Sequence, residues 1–334
     1  MPGHTIQTTV VGSYPVPDWL RAYPSAQALI DAIRVVLKTQ EEAGIDVIAD
    51  GELCRFDVNH PETNGMIDYF IGKMDGISTE ISRRILSEFR REAGLAYRTA
   101  PAGVVTGPLG EGTLNLPADY RTVRPLTRSR LKFTLTGPHM LSKVLMDRHY
   151  KNRPDLAMAI ADVLATQVTE IDADVVQVDE ANIPGHPDEA EWAAAAINRV
   201  LDAVRTEKAV HVCFGNYGGQ TVQQGTWEAL MPFLSALRAD HLVLECKRWG
   251  VETTAILRDL PKKIKLGIGV IDIKDNRVET PDEIARDIET VIVHLGPHRL
   301  AYVHPDCGFW MLQRSVADHK IEALVKGRDL FEGI

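Results

Sequence analysis

The segment DVVQVDE at residues 174–180 decides how this chain folds. A β-branched run, Asp174–Val178, ends in two acids, Asp179 and Glu180. A helical stretch follows over Asp188–Thr206, and a second short run, Ala209–Cys213, completes a β-α-β unit. Working outward, the same alternation recurs. Runs at Thr5–Val11, Asp46–Ala49 and Leu131–Leu135 precede it, and runs at His241–Leu244, Ile264–Val270 and Arg299–Val303 follow. Their length and apolar content suit strands buried on both faces. Helical patterns lie between them at Ser25–Glu42, Asp155–Ile171, Trp227–Arg238 and Pro281–Leu295. Two helices carry start signals: Thr280 precedes Pro281 with Glu283 in the first turn, and Asp188 precedes Glu189 and Glu191. Strands alternating with helices in this number predict an α/β fold, a (β/α)8 TIM barrel. Residues 55–130 are too long for one crossover; without them about 260 residues remain, near the ~250 of a plain barrel. The expectation is therefore one barrel domain over residues 1–334, with 55–130 as an excursion over one barrel face between strands 2 and 3. That excursion is expected to hold a helix at Ile81–Ala93 and a Gly/Pro-rich loop at Gly103–Gly112. A doubly wound open sheet is the competing architecture. It would usually show G-x-G-x-x-G after its first strand, where this chain has Gly12-Ser13-Tyr14-Pro15.

The 334 residues are 45% hydrophobic and 25% charged, which excludes global disorder. Lys and Arg number 37 against 46 Asp and Glu, a net charge of −9. Nucleic acid and anionic membrane surfaces are thereby excluded as main partners, since both demand clustered positive charge. No apolar run reaches the ~18 residues of a membrane span. Residues 1–15 show no basic region followed by an apolar core, so no signal peptide is expected and the location is expected to be cytoplasmic. The four cysteines, Cys54, Cys213, Cys246 and Cys307, are too few for a disulfide scaffold. Each is a buried thiol, a nucleophile or a metal ligand.

Active sites of such barrels sit at the C-terminal ends of the strands. In chain order those ends read Gly12-Ser13, Asp50-Gly51-Glu52, Thr136-Gly137-Pro138, Asp179-Glu180, His211-x-Cys213, Glu245-Cys246, Asp272-Ile273-Lys274 and His304-Pro305-Asp306-Cys307-Gly308. Polarity keeps this phase through every element. His211 and Cys213 are two apart on a strand and point the same way. Glu245 ends the next strand and Cys307 follows the last. Imidazole, two thiolates and a carboxylate suit a tetrahedral, borderline-soft ion such as Zn²⁺. The bland reading of the H-x-C pair is two buried core residues. Cys246 should point opposite to Glu245 and pack in the core. His304 is expected in a structural or supporting role, and Cys54 as a plain buried thiol.

These residues resemble the catalytic C-terminal barrel of the cobalamin-independent methionine synthase family. The resemblance runs through the Thr8–Pro15 segment, DGE at 50–52, TGP at 136–138, QVDE at 177–180, HVC at 211–213, LECKR around Glu245, GVIDIK at 269–274 and HPDCG at 304–308, in the family's order over essentially the whole chain. It implies a single catalytic barrel with zinc held by His211, Cys213, Glu245 and Cys307. It implies that Ser13, in the Gly12-Ser13 turn, contacts the backbone end of homocysteine, and that Glu52 and Asp179 hold its amino group. Two rim carboxylates suit an ammonium and repel an anion; the bland alternative is a solvated rim or a salt bridge to Arg55.

The folate side of the family departs. The proton-donating histidine of its GV-D-I-H motif is Lys274 here, a tryptophan position falls near Val144, an acidic contact near Gly185, and an Arg-Cys pair has no counterpart in Tyr97–Val104. The implied activity is methylation of homocysteine or a similar thiol from a non-folate donor, a methylated corrinoid protein being the first expectation. Asp272 and Lys274 stand at the seventh strand end as candidate catalytic residues. Lys274 would protonate or polarise the leaving group, or else simply pair with Asp272. The alternative on the same zinc barrel is an epoxide–thiol transferase of the coenzyme M type or a related C–S lyase, whose sulfonate thiol would want Arg55, Lys247 or Lys274. A uroporphyrinogen-decarboxylase-like barrel would need no metal, and the His/Cys/Glu/Cys set speaks against it.

Overall fold

The structure is a computed structural model and describes residues 5–61, 63, 65–92, 98–216, 219–296 and 298–334. Its parallel strands are β1 (Gln7–Thr8), β2 (Val47–Ala49), β3 (Arg130–Thr136), β4 (Val175–Glu180), β5 (Glu207–Val212), β6 (His241–Leu244), β7 (Lys265–Ile271) and β8 (Leu300–Pro305). They pair in the order β1-β8-β7-β6-β5-β4-β3-β2. A parallel bridge from Thr9 to Val47 joins the two ends, so the sheet closes into the (β/α)8 barrel. Every residue of β4 and β6 is buried, as is all of β3 and β7 beyond the first residue. β-Branched residues fill such strands because they pack on both faces of the pleat.

The helices form where local signals are strong. Ala26–Ala43 starts at Ser25, whose side chain accepts from the Ala28 amide, and ends at Gly44 in the left-handed region (φ 87°). Pro281–Leu295 starts where expected, and Thr280 and Glu283 form a capping box there. Asp188 does not cap its helix: it lies in a 3-10 turn, Pro187–Glu189, and the α-helix runs Ala190–Leu201. The prolines at 184 and 187 tighten this entry.

The excursion contains a helix, Arg83–Glu92, within the stretch expected, while Ala93 and Tyr97 lie outside the described residues. The expected loop at Gly103–Gly112 is instead a strand, Gly103–Gly110. It pairs antiparallel with Asp75–Ser78 and parallel with Leu145–Asp147. Gly76 (φ +82°) makes the first pairing possible, because a Cβ there would stand 2.3 Å from the Pro108 carbonyl oxygen. Phe70, Ile71, Met74, Val104 and Val105 of this layer join the barrel's own core.

A buried ion network ties the β3–β4 end together. The ring of His139 is 3.1 Å from Glu180 Oε1 through Nδ1 and 2.8 Å from Glu189 Oε2 through Nε2, and Lys143 Nζ donates to Glu189 at 2.8 Å. Burial pushes this histidine down, but the two carboxylates outweigh it and hold it up to about 9. A pKa raised above the unfolded value contributes stability that is complete below pH ~6.5 and lost as pH rises through about 9. His139→Gln should therefore cost on the order of a few kcal/mol at pH 6 and much less at pH 9.5. Urea unfolding at both pH values checks this; a gap between the two proteins that does not change with pH would contradict it.

Candidate metal centre

His211, Cys213 and Cys307 meet above β5 and β8, their ligand atoms all within 4.8 Å of one another. His211 Nδ1 lies 2.9 Å from the Val243 carbonyl oxygen, which places its proton there. Its Nε2 is buried without a hydrogen bond and is the nitrogen left to face the sulfurs. Such an orphaned nitrogen costs stability unless something binds it. The two sulfurs are 3.8 Å apart. Two metal–sulfur bonds of about 2.3 Å at a tetrahedral angle put their sulfurs about 3.8 Å apart, so the pair fits a zinc-sized thiolate site. The hydrogen bond from one sulfur to the other draws Cys307 well below the usual thiol value, against burial and with help from His211, while Cys213 is pushed well above it.

Glu245 is fully buried beside this cluster but is not drawn into it. Its Oε2 accepts from the Phe214 amide at 2.7 Å and its Oε1 from Lys274 Nζ at 2.6 Å. Lys274 thus pairs with Glu245, not with Asp272. Burial disfavours its charge, but Glu245 more than compensates and keeps it above the usual lysine value. Asp272 shapes the turn: its Oδ1 accepts from the Lys274 amide at 2.8 Å and its Oδ2 pairs with Arg248 at 3.0 Å.

Glu52 and Asp179 come together at the same end. Glu52 sits in the left-handed region (φ 59°), a conformation non-glycine residues adopt at a cost. Its amide donates to Asp50 Oδ1 at 2.9 Å, its Oε1 accepts from Thr134 Oγ1 at 2.7 Å, and its Oε2 pairs with Arg55 at 3.2 Å. Gly12 is the neighbour that makes room, since a Cβ there would lie 2.3 Å from Glu52 Oε1. Asp179 Oδ1 accepts from Gln177 Nε2 at 2.7 Å. Burial, with the Glu52 charge added, pushes Asp179 up to about 7. Asp179 is register partner of His211 across β4 and β5, so the carboxylates adjoin the metal cluster. Ser13 is buried beside Gly308, where a Cβ would stand 2.0 Å from its Oγ, so the Ser13 turn packs against the loop of Cys307.

Two features escaped the reading of the sequence. Asp306, 1% exposed, accepts from the amides of Cys246, Lys247 and Arg248 at 2.9, 2.8 and 2.7 Å, and so locks the loop after Glu245 to the loop of Cys307. An acid wedged beside a candidate ligand in HPDCG was the available signal. Met66 and Ile67 of the excursion pack with Cys213, Cys307, Met140 and Ala181, covering the sulfurs with apolar groups. Nothing in their local sequence signals this. His304 is buried, its Nδ1 2.8 Å from the Pro305 carbonyl oxygen, and burial pushes it down to about 3, which keeps it neutral; it is not among the converging ligand atoms and supports the site, as expected. Cys246 is buried in the core, and Cys54 is a half-buried free thiol.

The family model described as the catalytic domain of cobalamin-independent synthase matches residues 6–327. The methionine synthase of Sulfurisphaera tokodaii is 30% identical over 338 residues, covering 96% of this chain and 91% of that protein. That of Sulfolobus acidocaldarius is 28% identical with the same coverage, 96% and 91%. Among solved structures, the B12-independent methionine synthase from Shewanella sp. W3-18-1 in complex with selenomethionine shares the fold, with a TM-score of 0.79, 24% identity and 98% coverage of both chains.

Proposed function

The chain belongs to the cobalamin-independent methionine synthase family, as its catalytic-domain type, and from that premise we propose that it methylates the thiol of homocysteine at a zinc site formed by His211, Cys213, Cys307 and an exchangeable Glu245. The observation that carries this reading is the pair of sulfurs 3.8 Å apart facing a buried, unsatisfied imidazole nitrogen. When bound, zinc favours the thiolate form of a thiol at neutral pH and fixes the sulfur in place. Glu52 and Asp179 orient the substrate through its ammonium, and Ser13 takes the carboxylate end. Met66 and Ile67 keep water from the sulfur. The sulfur's electron pair forms the new S–C bond while the methyl–donor bond breaks; the electrons of the broken bond leave with the donor, and the thiol proton goes to solvent. Alignment of the two reactants supplies much of the acceleration. Lys274, held by the turn that Asp272 shapes, contributes a fixed positive charge beside the site. We read residues 1–334 as one catalytic barrel, with 55–130 covering its mouth, in the cytoplasm, where the cysteines stay reduced. No helix among the described residues is long and apolar enough to cross a membrane.

The donor in this reading is non-folate, with a methylated corrinoid protein as the partner. A sulfonate thiol fits less well, because its candidate cations are engaged: Arg55 with Glu52, Lys247 with Asp287 and Lys274 with Glu245. The test incubates the zinc-loaded protein and homocysteine with either a methylated corrinoid or methyltetrahydrofolate. Methionine should form with the corrinoid alone. Faster turnover with the folate would overturn the donor, and equal rates with a sulfonate thiol would overturn the acceptor.

A further inference from the structure

Lys132 stands inside the barrel on β3, 2% exposed, and has no part in the chemistry given above. Its register partner on β4, Val175, belongs to an apolar cluster with Val11, Val47, Ala209 and Val243. A charged side chain in such a place is costly unless its polar atoms are met. Here they are met: Nζ donates to the Val10 carbonyl oxygen at 2.8 Å and to Gln177 Oε1 at 2.8 Å. Both acceptors are neutral. Burial pulls the lysine down to about 7, against the attraction of Asp179 and Glu207. Charged or neutral, the nitrogen keeps an N–H bond for each of its acceptors. From Gln177 the chain of hydrogen bonds runs on towards the barrel mouth. Gln177 is 0% exposed, and its Nε2 donates to the Val11 carbonyl oxygen at 2.9 Å and to Asp179 Oδ1 at 2.7 Å. A glutamine amide fits its pocket either way round, and its neighbours decide which. Reversed, this one would set its NH2 group against Nζ and its oxygen against two acceptors, so Lys132 decides the direction.

We propose that Lys132 and Gln177 are positioning residues that together fix Asp179 in the orientation that receives the ammonium of homocysteine. This rests on the reading of Asp179 as an ammonium acceptor. With Oδ1 tied to Gln177, the carboxylate is held against rotation and aligned before the substrate arrives. Neither Lys132 nor Gln177 belongs to the metal cluster, and neither touches a bond that forms or breaks, so their effect falls on recognition of the amino group.

The test is calorimetry on the zinc-loaded full chain with two thiols, homocysteine and γ-mercaptobutyrate, its analogue of the same length without the amino group. In Lys132→Met, homocysteine should bind about ten-fold weaker, while γ-mercaptobutyrate should stay within about three-fold of its wild-type affinity. A purely structural role would weaken both thiols alike. Gln177→Glu supplies an arm that does not depend on a barrel folding without its lysine, because the new carboxylate can pair with Lys132. It has no N–H to give Asp179 and repels it, so the preference for homocysteine should again fall by about ten-fold. In Lys132→Met with Asp179→Asn, homocysteine should bind no more than about three-fold weaker than in Asp179→Asn alone, since effects passed through one group do not add. A wild-type preference for homocysteine retained in either single variant, equal weakening of both thiols, or additive losses in the double variant overturn the proposal. A wild-type chain that binds both thiols equally defeats the reading of Asp179 instead, so the two failures are distinguishable.

Discussion

Replacing Cys307 with serine should strip the protein of zinc and cut methyl transfer by about 10³-fold or more. Serine keeps the size of the side chain but offers an alcohol that does not ionise near neutral pH, where a thiol titrates near 8.5. His211, Cys213 and Cys307 are the three groups whose ligand atoms converge, and losing one leaves two. Zinc affinity should fall by well over the roughly 100-fold that loss of a supporting group can cost. Without the metal, only a few per cent of a free thiol is thiolate at pH 7, and its placement against the donor is lost as well; oriented reactants can gain a factor of about 10⁵ in effective concentration. The fold should survive, because Cys307 is only half-buried, packs at the edge of the barrel core, and serine keeps nearly its size. Zinc content by metal analysis, circular dichroism and methionine formation check the three parts. A Cys307→Ser protein that keeps one equivalent of zinc and near-normal activity would remove that residue from the site.

The second large effect is expected at the carboxylates. Asp179→Asn and Glu52→Gln should each weaken homocysteine by about 10–100-fold, the worth of a charge-assisted hydrogen bond at roughly 1.5–3 kcal/mol. Zinc content should not change, since neither residue belongs to the cluster. The effect should show in KM much more than in kcat if these groups bind the substrate's ammonium equally in ground and transition states. A thiol of the same length without the amino group provides the control: wild type should take it poorly, and the variants should lose their discrimination. Glu52→Gln carries an extra consequence, because Arg55 is buried and draws its charge balance from Glu52 at 3.2 Å. Some loss of stability is expected there and none of similar size in Asp179→Asn. Equal handling of both thiols by wild type would detach Glu52 and Asp179 from substrate recognition.

Much of this was legible before any coordinates. Parallel strands buried on both faces announce themselves as short apolar runs, and the polar residues after Val178, Val212 and Leu244 kept the phase that a barrel mouth requires. Strand periodicity and barrel closure made a convergence of His211, Cys213, Glu245 and Cys307 feasible, and the ligand atoms of His211, Cys213 and Cys307 do converge, with Glu245 beside them. The strand at Gly103–Gly110 did not show itself, because glycine and proline content signals a loop and its partners lie far off in sequence, at Asp75–Ser78 and Leu145–Asp147. The pairing of Lys274 with Glu245 was hidden for another reason. Sequence placed both at the ends of neighbouring strands but could not tell whether Lys274 would turn to Asp272, two residues away, or across to β6. The decision came from burial: Glu245 is wholly enclosed and the lysine is its available counter-charge, whereas Asp272 meets Arg248 instead. Cover over the sulfurs by Met66 and Ile67 depends on the path of a long excursion that local sequence does not encode.

X-ray absorption at the zinc edge on the purified, zinc-loaded protein, recorded without and with homocysteine, tests the central claim most directly. The account expects one nitrogen, one carboxylate oxygen and two sulfurs from the protein around a single zinc, at about 2.0–2.2 Å for nitrogen and oxygen and about 2.3 Å for sulfur, and a third sulfur in place of the oxygen when the thiol is added. A spectrum with no sulfur neighbours, or a sulfur count that homocysteine leaves unchanged, would contradict it.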